Sequence, residues 1–194
     1  MTHLFAMATF AFVLSATPGP VNVLALASGL NHGLFRSLPF VFGSTAGFTA
    51  LLYMIGLLGA ELVEGVPVLM QVMKVLGTAY ILYMGMKLFR AKTELTQCEA
   101  ITPRFYQGVI LQWMNPKAWI ACLSGIAAFV SGADGHMLIV FCTVYFAVCF
   151  VGIALWAGLG RWGQRVIKQA SHLDLLNKIM GLTLIGLAGY LLFI

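Results

Sequence analysis

The chain has 194 residues, 61% hydrophobic and only 9% charged, with a mean hydropathy of +0.96. A soluble domain is about a quarter charged, so this composition excludes an ordinary water-soluble globule and a disordered chain alike. The net charge of +5 does not point to nucleic acid, because the basic residues are few and scattered.

A helix needs ~20 mainly apolar residues to cross a bilayer. Hydropathy places candidate spans at 4–28, 38–60, 66–88, 105–130, 136–159 and 174–193. Runs such as Ala50-Leu51-Leu52-Tyr53-Met54-Ile55 do not alternate, so the spans read as helices and not as barrel strands. The expected organisation is one integral membrane domain over 1–194. It comprises a first repeat at about 1–89, a cytoplasmic linker at about 90–104 and a second repeat at about 105–194.

The first span has no basic region before it and runs past signal-peptide length, so it is expected to be retained. Near its middle lies Thr17-Pro18-Gly19-Pro20-Val21-Asn22. Two prolines remove two backbone donors and obstruct carbonyls one turn earlier, and Gly19 relaxes the chain between them. The helix is therefore expected to be interrupted here. Free backbone groups are costly in hydrocarbon, so such a break must be buried in protein or line a wet cavity.

The second span carries Gly43-Ser44-Thr45-Ala46-Gly47, a spacing suited to close helix packing. After the third span comes a polar stretch with Lys92, Glu94, Glu99 and Pro103. The fourth span repeats the device of the first, with Asn115-Pro116-Lys117-Ala118 near its midpoint. Lys117 lies too deep to snorkel. A charge at that depth suggests pairing with a substrate carboxylate, coupling through loss of its proton, or bonding to carbonyls freed by Pro116.

The remaining basic residues report orientation. Arg36 lies in the first connection, and Lys87, Arg90, Lys92 and Arg104 in or beside the third. Arg161, Arg165, Lys168 and Lys178 lie in or beside the fifth. The second and fourth connections hold only Glu61, Glu64 and Asp134. Odd connections are thus expected in the cytoplasm and both termini outside.

Three spans per half give the halves opposite orientations. Lys74, Gly77, Gly85 and Phe89 match Lys178, Gly181, Gly189 and Phe193 at an offset of 104, and Pro20, Ser28 and Gly29 match Pro116, Ser124 and Gly125 at 96. The fold predicted is all-α, with six transmembrane helices forming two inverted three-helix repeats whose first and fourth helices are broken. Broken helices at corresponding depths nominate Pro18, Gly19, Pro20, Asn22, Asn115, Pro116 and Lys117 as substrate-binding residues.

The cysteines Cys98, Cys122, Cys142 and Cys149 show no metal or disulfide spacing and read as packing residues. His3, His32, His136 and His172 fall at span ends or in loops. No serine or cysteine is accompanied by a mid-span histidine, and there are no paired carboxylates, so no catalytic residue, metal or cofactor is expected. An intramembrane enzyme and a small-solute channel stand as the alternatives to a carrier.

The same motifs resemble those of the LysE/RhtB family of bacterial amino-acid exporters, over nearly the whole chain. The resemblance rests on Thr17-Pro18-Gly19-Pro20, Gly29, Gly33, Gly43, Gly47 and the run from Leu76 to Gly85. It continues through Gly108, Asn115-Pro116-Lys117-Ala118 and Leu176-Asn177-Lys178 with Gly181. Val21 stands where many relatives have asparagine directly after the second proline, and Gln112-Trp113 with Ala127-Ala128-Phe129 resembles the cysteine and O-acetylserine branch. Resemblance to this family implies a multi-pass protein of the bacterial inner membrane that exports amino acids or related metabolites, driven by the proton gradient, and the paired breaks suggest alternating access around a mid-membrane site. Its partners would be the amino acid, protons and the lipid bilayer, with a homo-oligomer compatible. No Asp or Glu lies deep in any span, so a cationic substrate side chain would face Lys117 without a carboxylate. Small neutral amino acids are the expected cargo.

Overall fold

The computed structural model describes residues 2–59, 67–90, 103–130, 135–166 and 170–193, and among them every regular element is an α-helix. In chain order these are α1 (Thr2–Ala16), α2 (Pro20–His32), α3 (Leu34–Leu58) and α4 (Pro67–Arg90). Then follow α5 (Phe105–Trp113), α6 (Pro116–Phe129), α7 (Gly135–Val166) and α8 (Ala170–Phe193). Glu61, Glu64, Asp134, Lys168 and nearly all of the linker, including Cys98, lie outside the described residues.

The prolines place the interruptions. α1 stops before Pro18, and α2 restarts with Pro20 at its first position, where a missing N–H is not needed. The two segments meet at 65°. In the second half α5 ends at Trp113, and α6 begins with Pro116 behind Asn115, whose side chain accepts from the Lys117 N–H at 3.2 Å. Gly33, at φ +82°, makes the sharp turn between α2 and α3 that a residue with a β-carbon would resist.

Helix ends differ from the apolar limits. α7 continues to Val166 and takes in Arg161 and Arg165, which hydropathy assigned to a connection. Hydropathy marks where the chain leaves hydrocarbon, whereas a helix ends only where something breaks it, and no proline follows in this stretch. α3 and α7 are each long and apolar enough to cross a membrane, and α1 with α2 forms one bent pair that is so jointly. α4 and α8 have 24 residues each, which at 1.5 Å per residue gives ~36 Å.

The core is built around α7, which packs against α1, α2 and α3, while α3 also receives α5 and α6. α4 and α8 pack mainly on each other. Phe40, Leu51, Leu52, Ile55, Phe141 and Ile153 are fully enclosed. Close approach depends on small residues: a β-carbon at Gly29 would strike the Ala157 backbone, and one at Gly160 the Leu26 carbonyl. Gly43 and Gly108 bring α3 and α5 together in the same way, and Gly85 meets Gly181 across α4 and α8. Such contacts let dispersion act over backbone surfaces where the hydrophobic effect has no purchase.

Overpacking one of these crossings should therefore be costly. Gly29→Ala is expected to lower stability by about 1–3 kcal/mol, whereas Gly158→Ala, inside α7 with nothing within 4 Å, should leave it unchanged or raise it by up to about 1 kcal/mol. Thermal melting of the purified protein in detergent separates the two; equal melting temperatures would refute the packing argument.

Candidate functional site at the two helix breaks

In an unbroken first helix the carbonyl of Ser15 would accept from residue 19, that of Ala16 from residue 20 and that of Thr17 from residue 21. The break removes all three donors, and side chains replace them. Asn22 Nδ2 reaches back from α2 to both the Ser15 and the Thr17 carbonyls, at 2.8 Å each. The Trp156 indole N–H of α7 donates to the Ala16 carbonyl at 3.2 Å. Lys117 Nζ, from the second break, donates to the Thr17 carbonyl at 2.8 Å.

The second break is treated alike. Pro116 has no N–H, and the Asn115 N–H turns to the Gln112 carbonyl at 3.2 Å. The Trp119 indole donates to the Trp113 carbonyl at 2.7 Å. Trp113 in turn donates from its own indole to the Gly47 carbonyl at 3.0 Å, tying the end of α5 to α3.

The two breaks face each other across a pocket of about 400 Å³, counting its open mouth. Gly19, Asn22, Asn115 and Lys117 line it, four of the seven residues nominated from sequence. Pro18, Pro20 and Pro116 do not; Pro18 is exposed, and all three shape the backbone around the pocket. A β-carbon at Gly19 would stand 3.3 Å from Lys117 Nζ, so glycine leaves the ammonium its room. Lys117 meets a carbonyl freed by the first break, not by Pro116 beside it.

Other lining residues were not nominated. Gln112, Phe48, Tyr145 and Cys149 complete the walls, with Leu14, Ile153 and small alanines between them. The ring of Tyr145 stacks on Phe48 at 4.3 Å. Cys149, read from sequence as packing, is a free buried thiol on the pocket wall, one turn beyond Tyr145. Lys117 is the one ionisable cation on the lining, and no carboxylate is among the described residues that form it. Such a pocket can hold a small molecule carrying one anionic group and hydrogen-bonding neighbours, and it has no counter-charge for a second cation.

Asn22 satisfies two carbonyls at once, so Asn22→Leu is expected to destabilise the protein by about 2–4 kcal/mol. Thr183→Val, which removes only an exposed local bond to the Ile179 carbonyl, should change stability by less than about 0.5 kcal/mol. Melting in detergent reads both; an Asn22→Leu protein as stable as the parent would mean that the break has no need of its cap.

A family model, LysE type translocator, matches residues 12–193. The chain is 30% identical over 168 residues to a cysteine/O-acetylserine efflux protein of Klebsiella pneumoniae, covering 85% of each chain. It is 26% identical over 186 residues to the protein of that name from Escherichia coli K12, covering 95% of this chain and 94% of the relative. No solved structure is a significant match. With almost the whole chain inside the family match, this protein belongs to the LysE type translocators, which are membrane transport proteins and not enzymes.

Proposed function

We propose that the chain is a secondary exporter of small neutral amino acids, with its binding site in the pocket between the two helix breaks. The observation that carries this reading is the Lys117 ammonium resting on the Thr17 carbonyl, one break reaching the other, in a pocket lined by no carboxylate. The bond places an ammonium on a carbonyl, which is half of what an amino-acid zwitterion requires. On entry, the substrate carboxylate takes Lys117 and the side-chain amide of Asn115. The Thr17 carbonyl keeps its bond from Asn22 Nδ2, and the lone pair that Lys117 gives up accepts the substrate ammonium. Each charge is met without exposing a new one to hydrocarbon.

The transport cycle follows from the arrangement of the halves. Six spans form two inverted repeats, α1–α2, α3, α4 and α5–α6, α7, α8, with both termini outside. Contacts between the halves support this: α1 on α7 is mirrored by α5 on α3, and α2 on α7 by α6 on α3, while α3 meets α7 and α4 meets α8. Rocking of one repeat against the other exposes the pocket to each side in turn, and the proton gradient of the inner membrane drives export. The relatives, named for cysteine and O-acetylserine efflux, support a small neutral cargo.

Purified protein in proteoliposomes tests this directly. Counterflow of small neutral amino acids should be saturable, should respond to an imposed proton gradient, and should exceed that of lysine or arginine at least about tenfold. Lys117→Ala and Asn115→Ala should reduce transport at least about 100-fold while the proteins still insert and purify as the parent does. Efficient lysine transport, or a fully active Lys117→Ala protein, would refute the site.

A further inference from the structure

Gln112 and Tyr145 line the pocket but have no part in holding the zwitterion. Gln112, in the last turn of α5, is 5% exposed, and Tyr145, on α7, is 2% exposed. Both line the pocket, and among the described residues neither side chain has a hydrogen-bond partner. A buried amide or phenol is normally paired, and one left open toward a cavity points to something the cavity receives. The apolar walls beside them, Phe48, Ala121 and Ile153, offer neither donor nor acceptor.

Packing holds both groups in place. The Tyr145 ring is stacked on Phe48 at 4.3 Å and 14°, and it meets the edge of Phe141 at 5.8 Å and 89°. These contacts fix where its hydroxyl points. Gln112 precedes Trp113, whose indole is anchored to the Gly47 carbonyl, so the turn carrying the amide cannot slide. With the carboxylate at Lys117 and the ammonium at Thr17, the part of an amino acid still without a site is its side chain.

We propose that Gln112 and Tyr145 are specificity-determining residues that receive an uncharged hydrogen-bonding group on the substrate side chain, a hydroxyl, a thiol or an ester carbonyl. The assignment rests on the transport reading above. An amide and a phenol both donate and accept, so they suit a neutral polar group. A charged side chain would find no opposite charge beside them. They also disfavour a purely apolar side chain, which would leave both groups unpaired.

The test compares serine and cysteine with α-aminobutyrate, which carries a methyl in place of the hydroxyl or thiol. Wild type, Gln112→Met and Tyr145→Phe are each reconstituted in proteoliposomes. Both substitutions conserve volume, and Tyr145→Phe keeps the stack on Phe48. Wild-type kcat/KM should favour serine and cysteine over α-aminobutyrate by about tenfold. Each variant should narrow that ratio at least about threefold, by raising KM for serine and cysteine relative to that for α-aminobutyrate. A merely structural role would slow all three substrates alike, and that result, or a wild type that does not discriminate, overturns the assignment while leaving the transport reading intact. A wild type that moves no amino acid overturns both. Either variant decides the matter alone if the other does not fold.

Discussion

A carbonyl freed by a helix break must find another donor, and the centre of this protein is organised around that constraint. Pro18 and Pro20 break the first helix and release carbonyls at Ser15, Ala16 and Thr17. Asn22, Trp156 and Lys117 then supply the donors, one from the same broken span, one from α7 and one from the opposed break. Two of these bonds cross between the halves of the chain. Polar satisfaction thus does more than repair the backbone, because it ties a lysine of the second break to a carbonyl of the first.

The bonds around the pocket differ in kind from the packing outside it. α2 against α7 and α3 against α5 are backbone-to-backbone crossings made possible by Gly29, Gly160, Gly43 and Gly108, with no slack for sliding. The link between the breaks is one flexible side chain on one carbonyl.

Much of this was legible in the sequence, for local reasons. Proline chemistry acts on its own neighbours, so both breaks and the residues around them could be placed, and the mid-depth charge singled out Lys117. Its partner could not be read, because the Thr17 carbonyl lies 100 residues away and is backbone. Gln112 was noticed only in a comparison of motifs, and nothing local separates Tyr145 from a tyrosine that merely anchors its span. Cys149 resembled any apolar packing residue until α7 turned it toward the pocket. The all-α character was visible in hydropathy, but the end of α7 was not, because apolarity and helix length obey different rules.

The glycine crossings also bear on whether either half could stand alone. Gly29 and Gly43 of the first half receive backbone from Ala157 and Phe105 of the second, Gly77 abuts the Met114 carbonyl, and Gly85 meets Gly181. Each half alone would present grooves with nothing to fill them. Each half therefore depends on the other to complete its packing, and the chain is one packed unit and not two separable ones.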